Sequence, residues 1–278
     1  MVTAAIVGWD GTEAAQAALD WAFGTGIKIT LVRVVDTTVS VVEALGSDSP
    51  AAAARAALVN TMEQVRKAHP QTTVSSELVS GDPVEELARF SNETTLVIVG
   101  TDRQQAGGIR YYWSVGARLA ATARGAVAIV PMVRGGERHG IVVGVDGSAA
   151  SDAALDFAAA EADRTGQPIR VIHAWQEPPV WMDAQMPDAK YLEFLEKMYA
   201  QTLDGSLTAF TARHPGLQLQ RSLVRGSAQA ALLEAAEEAA LVVVGNHSLR
   251  GLRRFLLGSV SRSVVINAPC PVVVVHAR

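Results

Sequence analysis

The chain has very little cysteine. Cys270 is the one cysteine in 278 residues, which excludes an intramolecular disulfide and a Cys-x2-Cys metal site. It stands between two prolines, just before an apolar run. We interpret it as a small core residue rather than a reactive thiol.

Long apolar runs and an excess of positive charge are also missing. No uninterrupted apolar run approaches the roughly 18–20 residues that span a bilayer, and no basic segment precedes an apolar stretch of signal-peptide length at the N-terminus. The formal net charge is −4 and the pI is about 5.9. We therefore predict a cytoplasmic protein that binds neither nucleic acid nor a membrane.

The common catalytic and phosphate-binding signatures are absent as well. The sequence contains no Gly-x4-Gly-Lys-[Ser/Thr] loop, no Gly-x-Gly-x2-Gly fingerprint, no Gly-x-Ser-x-Gly elbow and no His-Glu-x2-His pair. The histidines do not cluster, and we interpret His173 as a packed strand residue. We accordingly predict no catalytic residue and no residue that binds a metal directly.

What the sequence does contain is an internal repeat. Five segments recur in the same order in the two halves, namely 4–12 with 140–148, 14–22 with 150–158, 29–34 with 169–174, 78–83 with 223–228, and 96–100 with 241–245. Matches in a constant order indicate a tandem duplication. The charged, glycine-rich segment 134–138 is suited to be a linker, so we predict two domains, 1–133 and 139–278.

Each half alternates short apolar strands with helices. The strands are rich in Val and Ile, which is typical of parallel strands that are covered on both faces. This pattern predicts an α/β fold of two tandem, doubly wound, Rossmann-like parallel-sheet domains with five strands each and right-handed crossovers. Ligands of such sheets bind at the carboxyl ends of the strands.

The segment from Leu241 to His276 carries the clearest binding signal. An apolar strand ends at Gly245, and Gly258-Ser259 begins a helical run. Glycines let backbone N–H groups come close to a ligand, and a helix start adds unpaired donors. The segment therefore predicts an anion cradle at the strand ends.

This segment resembles the nucleotide-binding signature of the universal stress protein family, Gly-x2-Gly-x9-Gly-[Ser/Thr]. Gly245, Gly258 and Ser259 match its first, third and fourth positions, and Ser248 replaces the second glycine. The ending Ala-Pro-Cys-Pro-Val-Val-Val-Val is similar to that of the family too. The resemblance covers nearly the whole chain in two copies. It implies the adenine nucleotide alpha hydrolase-like form of the fold and binding of ATP, with Mg²⁺ held through the phosphates.

The resemblance implies further nucleotide contacts in the second domain. Asp146 is expected near the adenine or ribose, or holding the divalent ion through water, and Ala174 is expected near the adenine. Capping of the following helix would equally explain Asp146 and Ser148. The predicted nucleotide-binding residues of this domain are Asp146, Gly147, Ser148, Ala174, Gly226, Gly245, Ser248, Gly258, Ser259 and Val260.

The matching site of the first domain is predicted to bind more weakly or to be empty. Trp113 stands where the second domain has Gly258, and an indole fills the space that a phosphate would use. Arg103 could partly compensate by pairing with a phosphate. The corresponding residues are Asp10, Gly11, Thr12, Val34, Gly81, Gly100, Arg103 and Ser114.

Three functions remain open at this point. The resemblance implies a stress-response regulatory protein that acts through nucleotide occupancy, with little or no hydrolysis and with an unknown signalling partner. The second is an enzyme on a related fold, either a nucleotide hydrolase, for which slow ATP hydrolysis remains open, or a flavoprotein of the electron-transfer type. The third is a nucleotide-independent dimeric interaction module, because the apolar terminal strands 126–130 and 272–275 can pair across repeats or subunits. A homodimer is expected.

Overall fold

A computed structural model of the chain describes residues 2–36, 50–102, 115–132, 136–177, 189–246 and 257–277. The chain divides into two units, and the boundary between them lies between Gly135 and Gly136. Within the described part of the chain, no helix is long and apolar enough to cross a membrane.

The first unit is a parallel sheet with helices between its strands. Its sheet has the order β3-β2-β1-β4-β5, and every described pairing is parallel. The elements are β1 (Ala4–Gly8), α1 (Glu13–Phe23), β2 (Lys28–Val35), α2 (Pro50–Ala68), β3 (Val74–Ser80), α3 (Pro83–Arg89), β4 (Thr95–Thr101), α4 (Val115–Thr122) and β5 (Ala126–Pro131).

The second unit repeats this arrangement. Its strand order is β10-β9-β6-β7-β8, again parallel throughout the described pairs. The elements are β6 (Ile141–Gly144), α5 (Ala149–Thr165), β7 (Ile169–Trp175), α6 (Ala189–Arg213), β8 (Leu219–Arg225), α7 (Ala228–Ala236), β9 (Leu241–Asn246), α8 (Ser259–Asn267) and β10 (Val272–His276). The predicted fold of two tandem doubly wound sheets with five strands each is confirmed.

The burial of each strand reflects its position in the sheet. The inner strand β9 has four consecutive buried residues, Leu241 to Val244, because helices cover both faces of the sheet there. The edge strand β3 has no buried residue and reads Val-Ser-Ser-Glu-Leu-Val-Ser. A continuous apolar run therefore marks an inner strand, and a mixed run marks an edge.

The order of the strands also creates one switch point in each unit. The connection from β1 leads through α1 to β2 on one side, whereas β4 lies on the other side of β1. In the second unit, β7 and β9 flank β6 in the same way. Chains that leave neighbouring strands in opposite directions open a crevice at the carboxyl ends of the strands. Each switch point is therefore the expected place for a ligand.

Side chains at the helix starts hold several helices in place at this end of the sheets. Asp82 caps α3 by accepting hydrogen bonds from the N–H groups of Val84 and Glu85, at 2.9 and 3.0 Å. The Glu85 N–H lowers the pKa of the Asp82 carboxyl most. Burial opposes this effect, and Arg118, 3.3 Å away, and the Val84 N–H lower the pKa further. The depressed pKa makes the capping free energy depend on pH.

We predict that Asp82→Ala lowers the free energy of unfolding by about 1 kcal/mol at pH 7, because the cap is lost. A carboxyl whose pKa is lower in the folded state stabilises fully above its unfolded pKa of about 3.9 and loses this contribution as the pH falls through the folded value. The difference between wild type and variant should therefore shrink below about pH 4. Urea unfolding across this pH range measures it.

The matched control is Ser227→Ala. Ser227 caps α7 by accepting from the Ala230 N–H, and a hydroxyl does not titrate in this range. Its effect on stability should stay constant over the same pH interval. An Asp82→Ala difference that is equally constant would contradict the predicted charge effect.

Candidate functional site

A cavity of about 200 Å³ lies at the switch point of the second unit. It opens between the carboxyl ends of β6, β7 and β9 and the start of α8, and α7 covers one side. Its floor is apolar and includes Ile172, Leu232 and Val244. Six of the predicted residues line it: Asp146, Ala174, Gly245, Gly258, Ser259 and Val260.

The turn between β6 and α5 forms one wall. Asp146 accepts a hydrogen bond from the Ser148 N–H at 3.1 Å, and the Ser148 Oγ caps α5 by accepting from the Ser151 N–H at 3.2 Å. Gly147 has φ +80°, a conformation that side chains disfavour. Gly147 and Ser148 are not among the described lining residues. The capping that the sequence offered as an alternative is therefore present.

The strand β7 divides its residues between two faces. Ala174 and Ile172 line the cavity, whereas His173 is 5% exposed and its Nδ1 lies 2.9 Å from the Val145 carbonyl oxygen. Because neighbouring side chains of a strand point to opposite faces, His173 cannot face the cavity that Ala174 lines. The structure therefore places it as a packed strand residue.

Gly226 is near the end of the sheet but is not a described lining residue. Its N–H donates to the Trp175 carbonyl at 2.8 Å, which ties the end of β8 to β7. Ala228, at the start of α7, lines the cavity instead. Nothing in the sequence distinguished Ala228 from the other small residues of that helix.

Gly245 is required by the packing of the protein itself. A Cβ at this position would lie 2.5 Å from both the carbonyl carbon and the oxygen of Ala150. The first turn of α5 therefore crosses the end of β9 at a distance that only glycine permits. Gly100 has the same relation to Ala14 in the first unit, at 1.8 Å from its oxygen. The first glycine of the signature thus has a structural role in both units.

Gly258 is different, because the packing of the described residues does not require glycine there. A Cβ would have the Ser261 Oγ as its nearest described neighbour, at 4.0 Å, and φ is −58°. Gly258 is the N-cap of α8 and has no side chain to cap the helix. The first N–H groups of a helix have no acceptor within it, and at α8 they lie at the wall of the cavity.

Ser261 is a residue that the sequence analysis missed. It is 4% exposed, lines the cavity, and donates a hydrogen bond from its Oγ to the Gly245 carbonyl at 2.8 Å. Its only sequence signal is a serine two residues after the Gly-Ser pair, which does not by itself indicate a contact with another strand.

The first unit has a cavity of about 530 Å³ at its own switch point. Of the predicted residues, Asp10, Thr12, Val34 and Gly100 line it, whereas Gly11 and Gly81 are not among the described lining residues. Thr12 caps α1, and Asp10 accepts from the Thr12 N–H at 2.9 Å.

The two cavities differ in charge. The described lining of the first contains the carboxylates Asp10, Glu13 and Asp102, and that of the second contains Asp146 alone. Neither described lining includes a lysine or an arginine. Carboxylates in a partly enclosed cavity repel phosphate groups, so the described part of the first cavity is the less favourable for a polyphosphate.

Three predicted residues lie outside the described part of the chain. These are Arg103 and Ser114 of the first domain and Ser248 of the second. Within the described residues, no cluster of three or more His, Cys, Asp or Glu side chains could hold a metal ion.

Together these features define a tandem α/β protein with a cavity at the carboxyl ends of the strands in each unit. A model of the Universal stress protein family matches residues 1–131 and again residues 137–276. The chain belongs to this family, as its resemblance in sequence implied.

Relatives cover almost the full length of the chain. Universal stress protein Rv2623 of Mycobacterium tuberculosis is 30% identical over 97% of this chain and 95% of the relative. Universal stress protein Rv2005c of the same organism is 29% identical with the same coverage.

Solved structures share the fold at lower sequence identity. A universal stress protein from Archaeoglobus fulgidus has a TM-score of 0.68 at 19% identity and covers 99% of this chain and 98% of its own. A protein described as a putative universal stress protein, from Pseudomonas aeruginosa, has a TM-score of 0.66 at 16% identity, covering 99% and 93%. At these identities the likeness supports the fold alone.

The contrast between the two glycines leads to a prediction about stability. Gly245→Ala should lower the free energy of unfolding by about 1–3 kcal/mol, because the added methyl overlaps the backbone of α5. Gly258→Ala should change it by less than about 0.5 kcal/mol, because the methyl would have no described atom closer than 4.0 Å. Chemical denaturation of both variants measures the difference, and equal effects would contradict this assignment of roles.

Proposed function

We propose that this chain is a stress-response regulatory protein that binds ATP in its second unit and acts through occupancy of that site. The observation that carries the proposal is the arrangement around Gly258. The N-cap of α8 has no side-chain hydrogen bond, and no described atom lies closer than 4.0 Å to a Cβ at Gly258. This helix start and the end of β9 line the same cavity. Such a start offers backbone donors to an anion, and membership of the family supports a nucleotide as the ligand.

The size of the cavity indicates which part of a nucleotide would lie inside it and which part would lie at its rim. About 200 Å³ is less than the roughly 300–1,000 Å³ of typical pockets for small molecules. The apolar floor suits the adenine, with Ala174 beside it. The phosphates would then lie toward the rim, where α8 begins at Gly258 and Ser259, and Mg²⁺ would be held through the phosphates. The residues present fit this arrangement, because the rim supplies donors and the floor supplies apolar surface.

The second unit is proposed as the better site, despite the larger cavity of the first. The carboxylates Glu13 and Asp102 line the first cavity in addition to Asp10, and they oppose a polyphosphate. The second cavity has Asp146 alone in its described lining. Trp113 further disfavours ATP binding by the first unit, because an indole fills the space that a phosphate would use.

Occupancy would act on the surface around the site. A nucleotide would join the ends of β6 and β9 to the start of α8, which stabilises the bound arrangement relative to the unbound one. A signalling partner that recognises this surface would then respond to the nucleotide.

Homodimer formation and a cytoplasmic location are further parts of the proposal. Light scattering of the purified chain tests homodimer formation.

Little or no hydrolysis is expected at this site. Enzymes that transfer phosphoryl groups stabilise the developing charge with cations and orient the attacking water with a base. The described lining of the second cavity contains no lysine, arginine or histidine, and the carboxylate of Asp146 already accepts from the Ser148 N–H. A site of this composition is better suited to holding a nucleotide than to cleaving it.

We predict that wild type binds ATP and that Gly258→Trp does not, because the indole fills the rim of the cavity and blocks the start of α8. Acid release followed by chromatography measures any nucleotide that copurifies, and calorimetry with added ATP and Mg²⁺ measures affinity. The affinity of the variant should be at least about a hundredfold weaker, as expected when several charge-assisted hydrogen bonds are lost.

The matched control is Gly216→Trp. Gly216 follows α6 at the other end of the sheet, and a Cβ there meets no described atom within 4 Å. This variant should bind ATP like wild type. Equal binding by wild type and Gly258→Trp would move the site to the first unit or elsewhere, and no binding by wild type would contradict the proposed function.

We also predict that bound ATP turns over more slowly than about one per minute, well below the typical 1–10³ s⁻¹ of enzymes. Release of phosphate at saturating ATP and Mg²⁺ measures this rate. Gly258→Trp serves as the control for contaminating activity. A faster rate that is lost in this variant would favour the slow ATPase instead.

A further inference from the structure

The start of α8 is tied to the sheet by one buried side chain. The Oγ of Ser261 donates to the carbonyl oxygen of Gly245 at 2.8 Å, and Ser261 is 4% exposed. We propose that Ser261 is a positioning residue, which holds the start of α8 against the end of β9 and thereby sets the spacing of the phosphate cradle. This inference rests on the proposed function, because the cradle is the one assigned to ATP above.

The bond joins the two backbone segments that the cradle needs. Gly245 ends one of them, and Gly258, Ser259 and Val260 begin the other, and all of these residues line the same cavity. Along the chain, the two segments are separated by residues 246–257. The hydrogen bond from Ser261 joins the two segments across the cavity wall and thereby fixes the distance between them.

The choice of hydrogen-bond partner supports a positioning role. A serine in the first turn of a helix commonly bonds to backbone groups of its own segment. Ser261 is the third residue of α8, and it bonds instead to a strand sixteen residues earlier in the sequence. The hydroxyl therefore does not serve to cap α8, whose N-cap has no side-chain hydrogen bond.

The first unit positions its corresponding helix differently. The counterpart of Ser261 is Gly116, which has no hydroxyl to offer to Gly100. A Cβ at Gly116 would lie 3.2 Å from the Ile129 Cγ1 and 3.3 Å from the Val99 Cγ2, so the start of α4 rests directly on the strands. The link between helix and strand end is thus a property of the second unit, which is also the unit proposed to bind ATP.

The geometry indicates which part of the affinity depends on Ser261. Hydrogen bonds from backbone N–H groups weaken steeply with distance and angle, so a small displacement of α8 would affect the phosphates. The floor under the adenine is made by other elements, namely β7, α7 and β9, through Ile172, Leu232 and Val244. Loss of the Ser261 bond should therefore weaken the binding of ATP and leave the binding of adenosine unchanged.

The experiment compares ATP and adenosine on the full chain. Calorimetry measures the affinity of both for wild type, Ser261→Ala and the control Ser263→Ala, which changes a serine of the same helix that is not a described lining residue. Ser261→Ala should weaken the affinity for ATP about tenfold, the usual scale for a lost supporting hydrogen bond. It should change the affinity for adenosine by less than about twofold. Ser263→Ala should match wild type for both ligands.

A second variant guards against a loss of folding. Thermal unfolding without ligand is measured for each protein, and Ser261→Cys replaces Ser261→Ala if the latter is unfolded at the assay temperature. Cysteine has the shape of serine with a somewhat larger terminal atom and is a weaker donor, so the same selective loss of ATP affinity is expected.

The outcomes separate this inference from the proposed function. Unchanged ATP affinity in Ser261→Ala overturns the positioning role alone, and so does a loss of ATP and adenosine affinity in equal proportion. A wild-type chain that binds no ATP overturns the proposed function and the positioning role with it.

Discussion

The close crossing of α5 over the end of β9 is the contact on which the site depends. At Gly245 the backbone of Ala150 comes so near that even a methyl group would overlap it. This contact brings the capped start of α5, the end of β9 and the start of α8 to one cavity. The corresponding contact between α1 and Gly100 shows that it belongs to the repeated fold, since it occurs in both units.

The two units share this framework and differ in what surrounds it. In the second, no described atom lies closer than 4.0 Å to a Cβ at Gly258, where α8 begins, and the buried hydroxyl of Ser261 reaches the strand. The first has Gly116 packed on its strands and additional carboxylates in its cavity. Duplication therefore preserved the backbone geometry while the groups that would contact a phosphate diverged. This divergence supports the proposal that the two units differ in their affinity for a nucleotide.

Some predicted residues have a role in the structure that differs from the one inferred from the sequence. The hydroxyl of Ser148 caps α5, and Gly147 provides a turn with positive φ, so both shape the wall without lining the cavity in the described structure. Gly245 was interpreted as permitting close approach of a ligand, and the structure shows that it permits close approach of a helix. The sequence pattern singled out these positions, but a glycine by itself does not show whether it serves a turn, a ligand or the close approach of a helix.

The sequence by itself determined the tandem α/β fold, the parallel strands and the family. Repeats, Val-rich runs and glycine spacing are visible in the sequence without any knowledge of tertiary contacts. It also predicted that Ala174, Gly245, Gly258 and Ser259 lie near one another, since parallel strands end at the same edge of a sheet, and the four residues line one cavity. Only the tertiary structure decided that Ser261 reaches Gly245 and that the backbone of Ala150 lies against the end of β9 at Gly245. These are contacts between distant segments, and they depend on how close a helix lies to a strand, which no local pattern encodes.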